Sequence, residues 1–315
     1  MSQKPVVFNQ ALDKIVDHQD LSFYEMQGVM QQLMSGEASE SQIAALMVGL
    51  SMKGETVDEL AAAAEVMQRL ATPVDVSSKG VIDIVGTGGD GAKLFNVSTA
   101  SSFVVAAAGV KVAKHGNYSV SSSSGSANVL EQMGVELGIR PAQVALCINE
   151  LGIGFLFARN HHSAMRFAAP VRTALGLKSF FNLLGPMTNP VNTEYRLVGA
   201  YTRAFSELMA NVMSKNGVRR LWCVHSDDGL DEISCSAPTT VTQIFDGEKS
   251  QFIISPETVG RDFADLDLLR VDTPEQSFHL IEKALQKGNE SKEVQAARLI
   301  ISLNAGAALF IAEQT

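Results

Sequence analysis

Between Val81 and Ala113 the chain spells strand, glycine turn, helix and strand, an order that few folds accommodate. The apolar run Val81-Ile82-Asp83-Ile84-Val85 leads directly into Gly86-Thr87-Gly88-Gly89-Asp90-Gly91. Asn96-Val97-Ser98-Thr99-Ala100 opens an apolar helix that ends near Gly109, and Val110 to Ala113 reads as the next strand. Ile153 to Phe157, Leu197 to Gly199 and Leu221 to Val224 continue the alternation with helices between them. Short β-branched runs separated by helices are the mark of parallel βαβ units, so a doubly wound, mainly parallel α/β sheet is expected. Thr240 to Phe245 and Gln251 to Ile254, joined by Asp246-Gly247, predict an antiparallel hairpin at the sheet edge.

The chain before Ala71 carries a different signal. Ser22 with Glu25, Ser39 with Gln42 and Thr56 with Glu59 are capping boxes, and each predicts a helix start. Gly36 and Gly54 stand where helix C-terminal glycines belong, and Pro73 stops a fourth helix bearing Leu60, Ala63, Ala64, Met67 and Leu70 on one face. This part shows no strand signal and no catalytic constellation, so it reads as a helical module for packing or oligomerisation. The expected division is a helical domain over 1–76 and an α/β domain over 77–315, with helices near 163–190 packing back on the helical part. A helical pattern from Ala305 to Ala312 runs almost to Thr315, which leaves room for a further helix beyond it.

At 315 residues and 46% hydrophobic content the chain can bury a substantial core. Its net charge of -9 and the lack of a Lys/Arg run argue against nucleic acid or an anionic membrane as partner, since both need concentrated positive charge. Met1 to Asp20 has no apolar signal-peptide core, and no apolar run reads as long enough to span a bilayer, so a cytoplasmic location is expected. Cys147, Cys223 and Cys235 are widely spaced among apolar residues and read as buried thiols, without a metal or disulfide framework.

In an open parallel sheet, ligands bind beyond the carboxyl ends of the strands, and the distinctive polar segments all fall there. The loop Gly86 to Asp90 alone fits either a turn or a phosphate cradle; Asn96, Ser98 and Thr99 at the next helix start favour the cradle, with Leu94 and Phe95 open to plain packing. Lys114-His115-Gly116-Asn117 leads into Tyr118-Ser119-Val120-Ser121-Ser122-Ser123-Ser124-Gly125-Ser126, rich in small groups that let main-chain amides approach an oxyanion. Inside the sheet domain this segment reads as a lid over phosphate rather than a linker. Adjacent carboxylates beside phosphate repel it unless a divalent cation bridges them, so Asp231 and Glu232 are candidate Mg²⁺ ligands, and Asp227 and Asp228 are read as solvated. Arg159 to Arg166 ends a strand and is expected to begin a helix running on to Pro170-Val171-Arg172. Without a cysteine or acidic neighbour, His161 and His162 suit hydrogen bonding or stacking better than zinc, and His225 reads as a satisfied histidine at the core edge.

Taken together, GTGGDG, NVSTA, KHGN, SVSS, HSAM, PVR, FNLLGPMTNP and GLDEIS, in this order, resemble the anthranilate phosphoribosyltransferase family of tryptophan biosynthesis. The likeness spans most of the chain and includes the MKGET turn at Met52 to Thr56. It implies a helical domain that forms homodimers and a larger α/β domain. It also implies that anthranilate's amine attacks the anomeric carbon of phosphoribosyl pyrophosphate, releasing pyrophosphate. By this resemblance Gly86, Gly89, Asp90, Leu94, Asn96, Val97, Ser98, Thr99, Lys114, His115, Gly116, Asn117, Tyr118, Ser119, Val120, Ser121, Ser122 and Ser126 contact phosphoribosyl pyrophosphate. Ser98, Asp231 and Glu232 coordinate Mg²⁺. Gly86, His115, Asn117, His162 and Arg172 meet anthranilate, with Arg172 suited to its carboxylate. No residue is required as covalent nucleophile, and no general base is assigned.

The chain departs from the family pattern at the phosphate loop. Tyr118 and Ser123 stand where KHGNR and SSKSG carry basic residues, Arg159 stands where a proline commonly follows FLFA, and Ser51 replaces a common arginine. Each lost charge-assisted bond is worth about 1.5 to 3 kcal/mol, roughly ten- to a hundredfold in affinity, so weaker phosphoribosyl pyrophosphate binding is expected. Arg159 offsets this only if its side chain points inward. The rival readings are a pyrimidine nucleoside phosphorylase, which would need an additional C-terminal domain, and a silent or weakly active paralogue that binds nucleotide. Asp231-Glu232 suits metal-bound pyrophosphate better than the free phosphate of the first, and intact Asn117, Arg172, Asp231 and Glu232 weigh against the second.

Overall fold

The computed structural model describes residues 8–118, 124–288 and 290–313. Its first four helices are α1 (Phe8–Val16), α2 (Phe23–Ser35), α3 (Glu40–Lys53) and α4 (Val57–Leu70). Ser22, Ser39 and Thr56 each accept a bond from an amide in the first turn, and the side chains of Glu25, Gln42 and Glu59 accept one from the cap amide. Each reciprocal pair satisfies two otherwise unpaired amides, which sets three helix starts. Glu59 also ties the bundle together: fully buried, it accepts from the Leu21 amide at 2.8 Å and pairs with Lys53 at 3.1 Å.

The remaining elements are β1 (Val81–Gly86), α5 (Val97–Ala107), β2 (Lys111–Gly116), α6 (Ser126–Gln132), α7 (Pro141–Leu146), β3 (Ile153–Phe157), α8 (Ala158–His161), α9 (Ala169–Leu175), α10 (Phe180–Leu184), β4 (Tyr195–Gly199), α11 (Arg203–Lys215), β5 (Arg220–Ser226), β6 (Thr239–Phe245), β7 (Glu248–Ile254), α12 (Pro274–Leu285) and α13 (Lys292–Ile311). The sheet runs β3-β2-β1-β4-β5-β6-β7, parallel through β5, with β6 and β7 antiparallel at one edge. Asp246 and Gly247 both take positive φ, 49° and 87°, as the hairpin turn between β6 and β7 requires. Strand order reverses at β1 and β4, and this switch point opens a crevice at their carboxyl ends.

Alternation along the strands divides the core. Val198, Leu221 and Cys223 face a cluster with Leu33, Leu46 and Leu60 of the bundle, Phe180 and Leu184 of α10, and Met209 of α11. The helical part, α9 to α11 and one sheet face therefore share one apolar interior. Leu197, Trp222 and Val224 face the opposite side, against Val105 of α5, Ile281 of α12 and Ile300 and Ala308 of α13.

Several boundaries differ from expectation. Strand β2 begins at Lys111 and extends to Gly116, so Lys114 and His115 are strand residues rather than loop residues, and β5 takes in His225. The expected helix through Arg172 is broken into α8, a 3-10 turn at Ser163–Phe167 and α9. Pro170 in the first turn of α9 suits a new helix start there. Cys147 is half-buried, while Cys223 and Cys235 are buried, and all three are free thiols. By length and composition α13 passes as a bilayer span, contrary to the sequence reading, yet Ile300, Ile301, Asn304, Ala308 and Ile311 are buried in the protein core.

Candidate active site

Gly86 ends β1 and is paired with Gly199, which ends β4. Both are forced to be glycine by what lies over them. A β-carbon at Gly86 would overlap the Asp231 carboxylate, and one at Gly199 would overlap the main-chain carbonyl of Asp231. The two bare strand ends thus let the segment after β5 fold down into the switch-point crevice. There the Gly88 amide donates to Oδ2 of Asp231 at 2.7 Å. Gly88 and Gly89 have φ of 64° and 77°, a conformation that L side chains resist and that turns a glycine loop's amides toward one concavity.

The electrostatics of the crevice are strongly perturbed. Burial, followed by the charge of Asp90, pushes Asp231 up to about 7. Burial, followed by the charge of Asp231, raises Glu232 well above the carboxylate range. Oε1 of Glu232 accepts from the Ser98 amide at 3.1 Å, in the first turn of α5. Buried Lys114 donates to the Ile84 carbonyl at 2.6 Å and to Oγ of Ser98 at 3.2 Å. Burial lowers its pKa, while the charges of Asp83, Glu232 and Asp231 act in the opposite direction. The excess of buried negative charge suits a divalent cation. Among the described residues no three His, Cys, Asp or Glu side chains form a closed cage, so Ser98, Asp231 and Glu232 would leave other positions to water and substrate oxygen, as Mg²⁺ prefers.

Asn96 occupies the cap position of α5 but makes no capping bond. Its Oδ1 instead accepts from Oγ of Ser124 at 2.7 Å and Oγ of Ser277 at 2.8 Å, and its Nδ2 donates to the Ser124 carbonyl at 3.1 Å. Thr99 donates to Oγ of Ser126 at 3.2 Å. The start of α5 is thereby joined to α6 and α12. Asp90 accepts from the Ala92 amide at 3.2 Å. Val97 is buried and Leu94 half-buried against the core of α12 and α13, so both side chains are packing groups. Gly116 is closed in by Phe155 and Ser126. Ser119, Val120, Ser121, Ser122 and Ser123 lie outside the described residues.

On the other side of Lys114, the His115 and His162 rings meet edge to face at 5.3 Å. Burial pushes His115 well below the usual histidine range and His162 down to about 4, so both are neutral near pH 7. His115 Nδ1 lies 3.1 Å from the Gly185 carbonyl. Asn117 accepts through Oδ1 from the Tyr118 amide at 2.8 Å. The guanidinium of half-buried Arg172 lies over Phe181 at 5.5 Å, and burial lowers its pKa. Lys178, which the sequence did not single out, donates to the Gly89 carbonyl at 3.0 Å and lies 4.2 Å from the Tyr201 ring centroid. The segment 172–185 therefore reaches the crevice twice, through Lys178 and through Gly185.

Sequence reading also passed over Asp83 and Arg196, which face each other in register on β1 and β4 and are buried. Oδ1 of Asp83 accepts from the His115 amide at 3.1 Å, and Arg196 donates to the carbonyls of Pro186 and Met187 at 3.4 and 3.3 Å. A charge inside an apolar strand run was the available signal in both. Asp228, read as merely solvated, is exposed but accepts from Ser234 and Ser236 at 2.6 and 2.8 Å. His225 behaves as expected, its Nδ1 lying 2.8 Å from the Ala200 carbonyl.

A helical bundle joined to a sheet whose switch point gathers a glycine loop, buried lysine and paired carboxylates defines a glycosyl transferase of helical-bundle and α/β type. The model of the glycosyl transferase family's helical bundle domain matches residues 9–71, and that of its a/b domain matches 78–315. Anthranilate phosphoribosyltransferase of Pseudomonas entomophila (strain L48) is 49% identical over 304 residues, 96% of this chain and 87% of the relative. The crystal structure of anthranilate phosphoribosyltransferase from Thermus thermophilus superposes with a TM-score of 0.89 at 40% identity, covering 97% of this chain and 90% of that one. The Saccharomyces cerevisiae enzyme in complex with PRPP and Mg shares the fold at 23% identity, TM-score 0.88, over 97% of this chain and 88% of that one. The chain belongs to the anthranilate phosphoribosyltransferase family. Its reaction transfers the phosphoribosyl group of phosphoribosyl pyrophosphate to the amine of anthranilate.

Proposed function

We propose that the switch-point crevice carries out this transfer with phosphoribosyl pyrophosphate laid along the glycine loop and the start of α5, and with anthranilate entering past His115, Asn117, His162 and Arg172. The observation that carries the assignment is the descent of Asp231-Glu232 onto Gly86, Gly88 and Ser98. This brings two carboxylates to the cradle that the strand ends create. Bound Mg²⁺ would neutralise charge that builds on the departing pyrophosphate. Ser98, Asp231 and Glu232 are the residues suited to hold it, because they meet at the glycine loop and the start of α5.

The protein's own part is positioning and electrostatic. The bond from the anomeric carbon to pyrophosphate oxygen breaks, the bond to the anthranilate nitrogen forms, and the amine's proton passes to water. Main-chain amides of the glycine loop and buried Lys114 offer fixed donors near the leaving group. Arg172 would fix the anthranilate carboxylate, and the neutral imidazoles of His115 and His162 would flank the ring without adding charge beside the cationic ribose. The exposed apolar groups Val16, Tyr24 and Met52 on the bundle support a homodimer formed through the helical domain. The free thiols are in keeping with a cytoplasmic setting. Loss of anthranilate fluorescence on adding phosphoribosyl pyrophosphate and Mg²⁺ tests the activity. No loss at saturating substrates, with phosphorolysis of a pyrimidine nucleoside instead, would select the rival enzyme.

A further inference from the structure

Arg159 stands at the ligand edge of the sheet and has no part in the contacts described so far. Gly116 and Phe157 are register partners at the ends of β2 and β3. Tyr118 and Arg159 each follow two residues later, so the chain delivers them side by side beyond the same strand ends. The guanidinium carbon lies 4.8 Å from the Tyr118 ring centroid.

The ring is itself fixed. Tyr118 donates its hydroxyl to Oε1 of Glu131 at 2.7 Å and meets Phe157 edge to face at 5.1 Å. The Glu131 bond raises the phenol pKa, so Tyr118 remains a neutral platform. Arg159 is exposed, and among the described residues no carboxylate is paired with it. Stacking uses the flat face of a guanidinium and leaves its in-plane N–H groups free, the geometry that suits phosphate oxygen. In a chain of net charge -9, an arginine held beyond the ligand-side strand ends, with no carboxylate partner among the described residues, is a feature that surface solvation alone does not call for.

We propose that Arg159, held on the face of Tyr118, binds a phosphate of phosphoribosyl pyrophosphate and supplies from the end of β3 the cation that position 118 lacks. Tyr118 is then a positioning residue and Arg159 a binding residue. The inference rests on the phosphoribosyl transfer assigned above.

The test is calorimetric titration of phosphoribosyl pyrophosphate in the presence of Mg²⁺, alongside steady-state kinetics. Arg159→Ala should weaken its binding and raise its KM by roughly ten- to a hundredfold. The KM for anthranilate and kcat at saturation should stay within about twofold. Arg159→Lys should recover part of the loss, and Tyr118→Ala should raise the KM for phosphoribosyl pyrophosphate without changing kcat, because the platform under the guanidinium is gone. Tyr118→Arg placed in the Arg159→Ala background should restore binding by moving the cation across the stack. Unchanged affinity in folded Arg159→Ala, with an active parent enzyme, overturns the proposal. A folded parent that neither binds nor turns over phosphoribosyl pyrophosphate overturns the transfer reading itself, and the Arg159 role falls with it.

Discussion

Oδ2 of Asp231 occupies the space that a β-carbon on Gly86 would need, so the end of β1 and the carboxylate after β5 fit together only with glycine at that position. Gly86 has no left-handed φ, so an alanine there meets no backbone strain, and the protein atoms it would strike belong to Asp231. Gly86→Ala should push the carboxylate off the Gly88 amide and lower kcat/KM by about a hundredfold, the scale of an ångström-sized misplacement at a reacting centre. Steady-state kinetics across Mg²⁺ concentrations check it. A variant with native kcat/KM would show that Asp231 is free to shift.

Lys178 ties the segment between α9 and α10 to the glycine loop through the Gly89 carbonyl, with its ammonium over Tyr201. The contact is solvent-exposed, so its net value is about 1 kcal/mol. Lys178→Ala should raise the KM for phosphoribosyl pyrophosphate by roughly fivefold and speed amide exchange in residues 86–91, leaving thermal stability nearly unchanged. Exchange unaltered in that loop would remove Lys178 as its support.

Arg172 lies over Phe181 and is half-buried. A guanidinium in that place is suited to an aromatic acid. Arg172→Ala should raise the KM for anthranilate by roughly ten- to a hundredfold while the KM for phosphoribosyl pyrophosphate moves little. Equal effects on both substrates would assign Arg172 to packing.

Much of this arrangement is legible in the residues because it rests on local rules. Capping boxes fix the starts of α2, α3 and α4, and short apolar runs fix β1 and β3, since each is set within a few residues. The Asp246-Gly247 hairpin is equally local. Less legible were features that depend on distant partners. Lys114 and His115 read as loop because they are polar, yet pairing with Phe155, Leu156 and Phe157 of β3 carries β2 on through Gly116. Asn96 reads as a phosphate-site residue at the start of α5, and nothing local shows that Ser124 and Ser277, far along the chain, bond its side chain. Lys178 carries no local motif at all.

His162 links the site to pH. Burial holds it unprotonated down to about 4 in the folded chain, whereas an exposed histidine takes its proton near 6.5. The unfolded chain therefore binds more protons between these values. Stability contributed by the neutral ring is complete above 6.5 and declines as pH falls toward 4, by about 3 kcal/mol for His162 alone. His115 acts in the same direction. Thermal melts across this range should show the decline, and His162→Gln should flatten it; an unchanged slope in the variant would place the acid sensitivity elsewhere.

Asp83 and Arg196 pose the sharpest energetic question, because two opposite charges sit in register on adjacent strands with almost no solvent. Burial raises the pKa of Asp83, while Lys114 and Arg196 favour its ionised form. If the charges win, Asp83→Asn strands Lys114 and Arg196 without their counter-charge and should cost about 3 to 5 kcal/mol in denaturant unfolding. Pairing it with Arg196→Met should recover part of that loss, since removing both charges is far less costly than removing one. The His115 amide donates to Oδ1 of Asp83, and an asparagine oxygen can accept the same bond, so that contact survives the substitution. Near-native stability of Asp83→Asn would mean that the carboxyl is already protonated in the folded chain. Lys114 would then depend on Asp231 and Glu232 alone for its charge balance, and its stability should become sensitive to whatever cation those carboxylates hold.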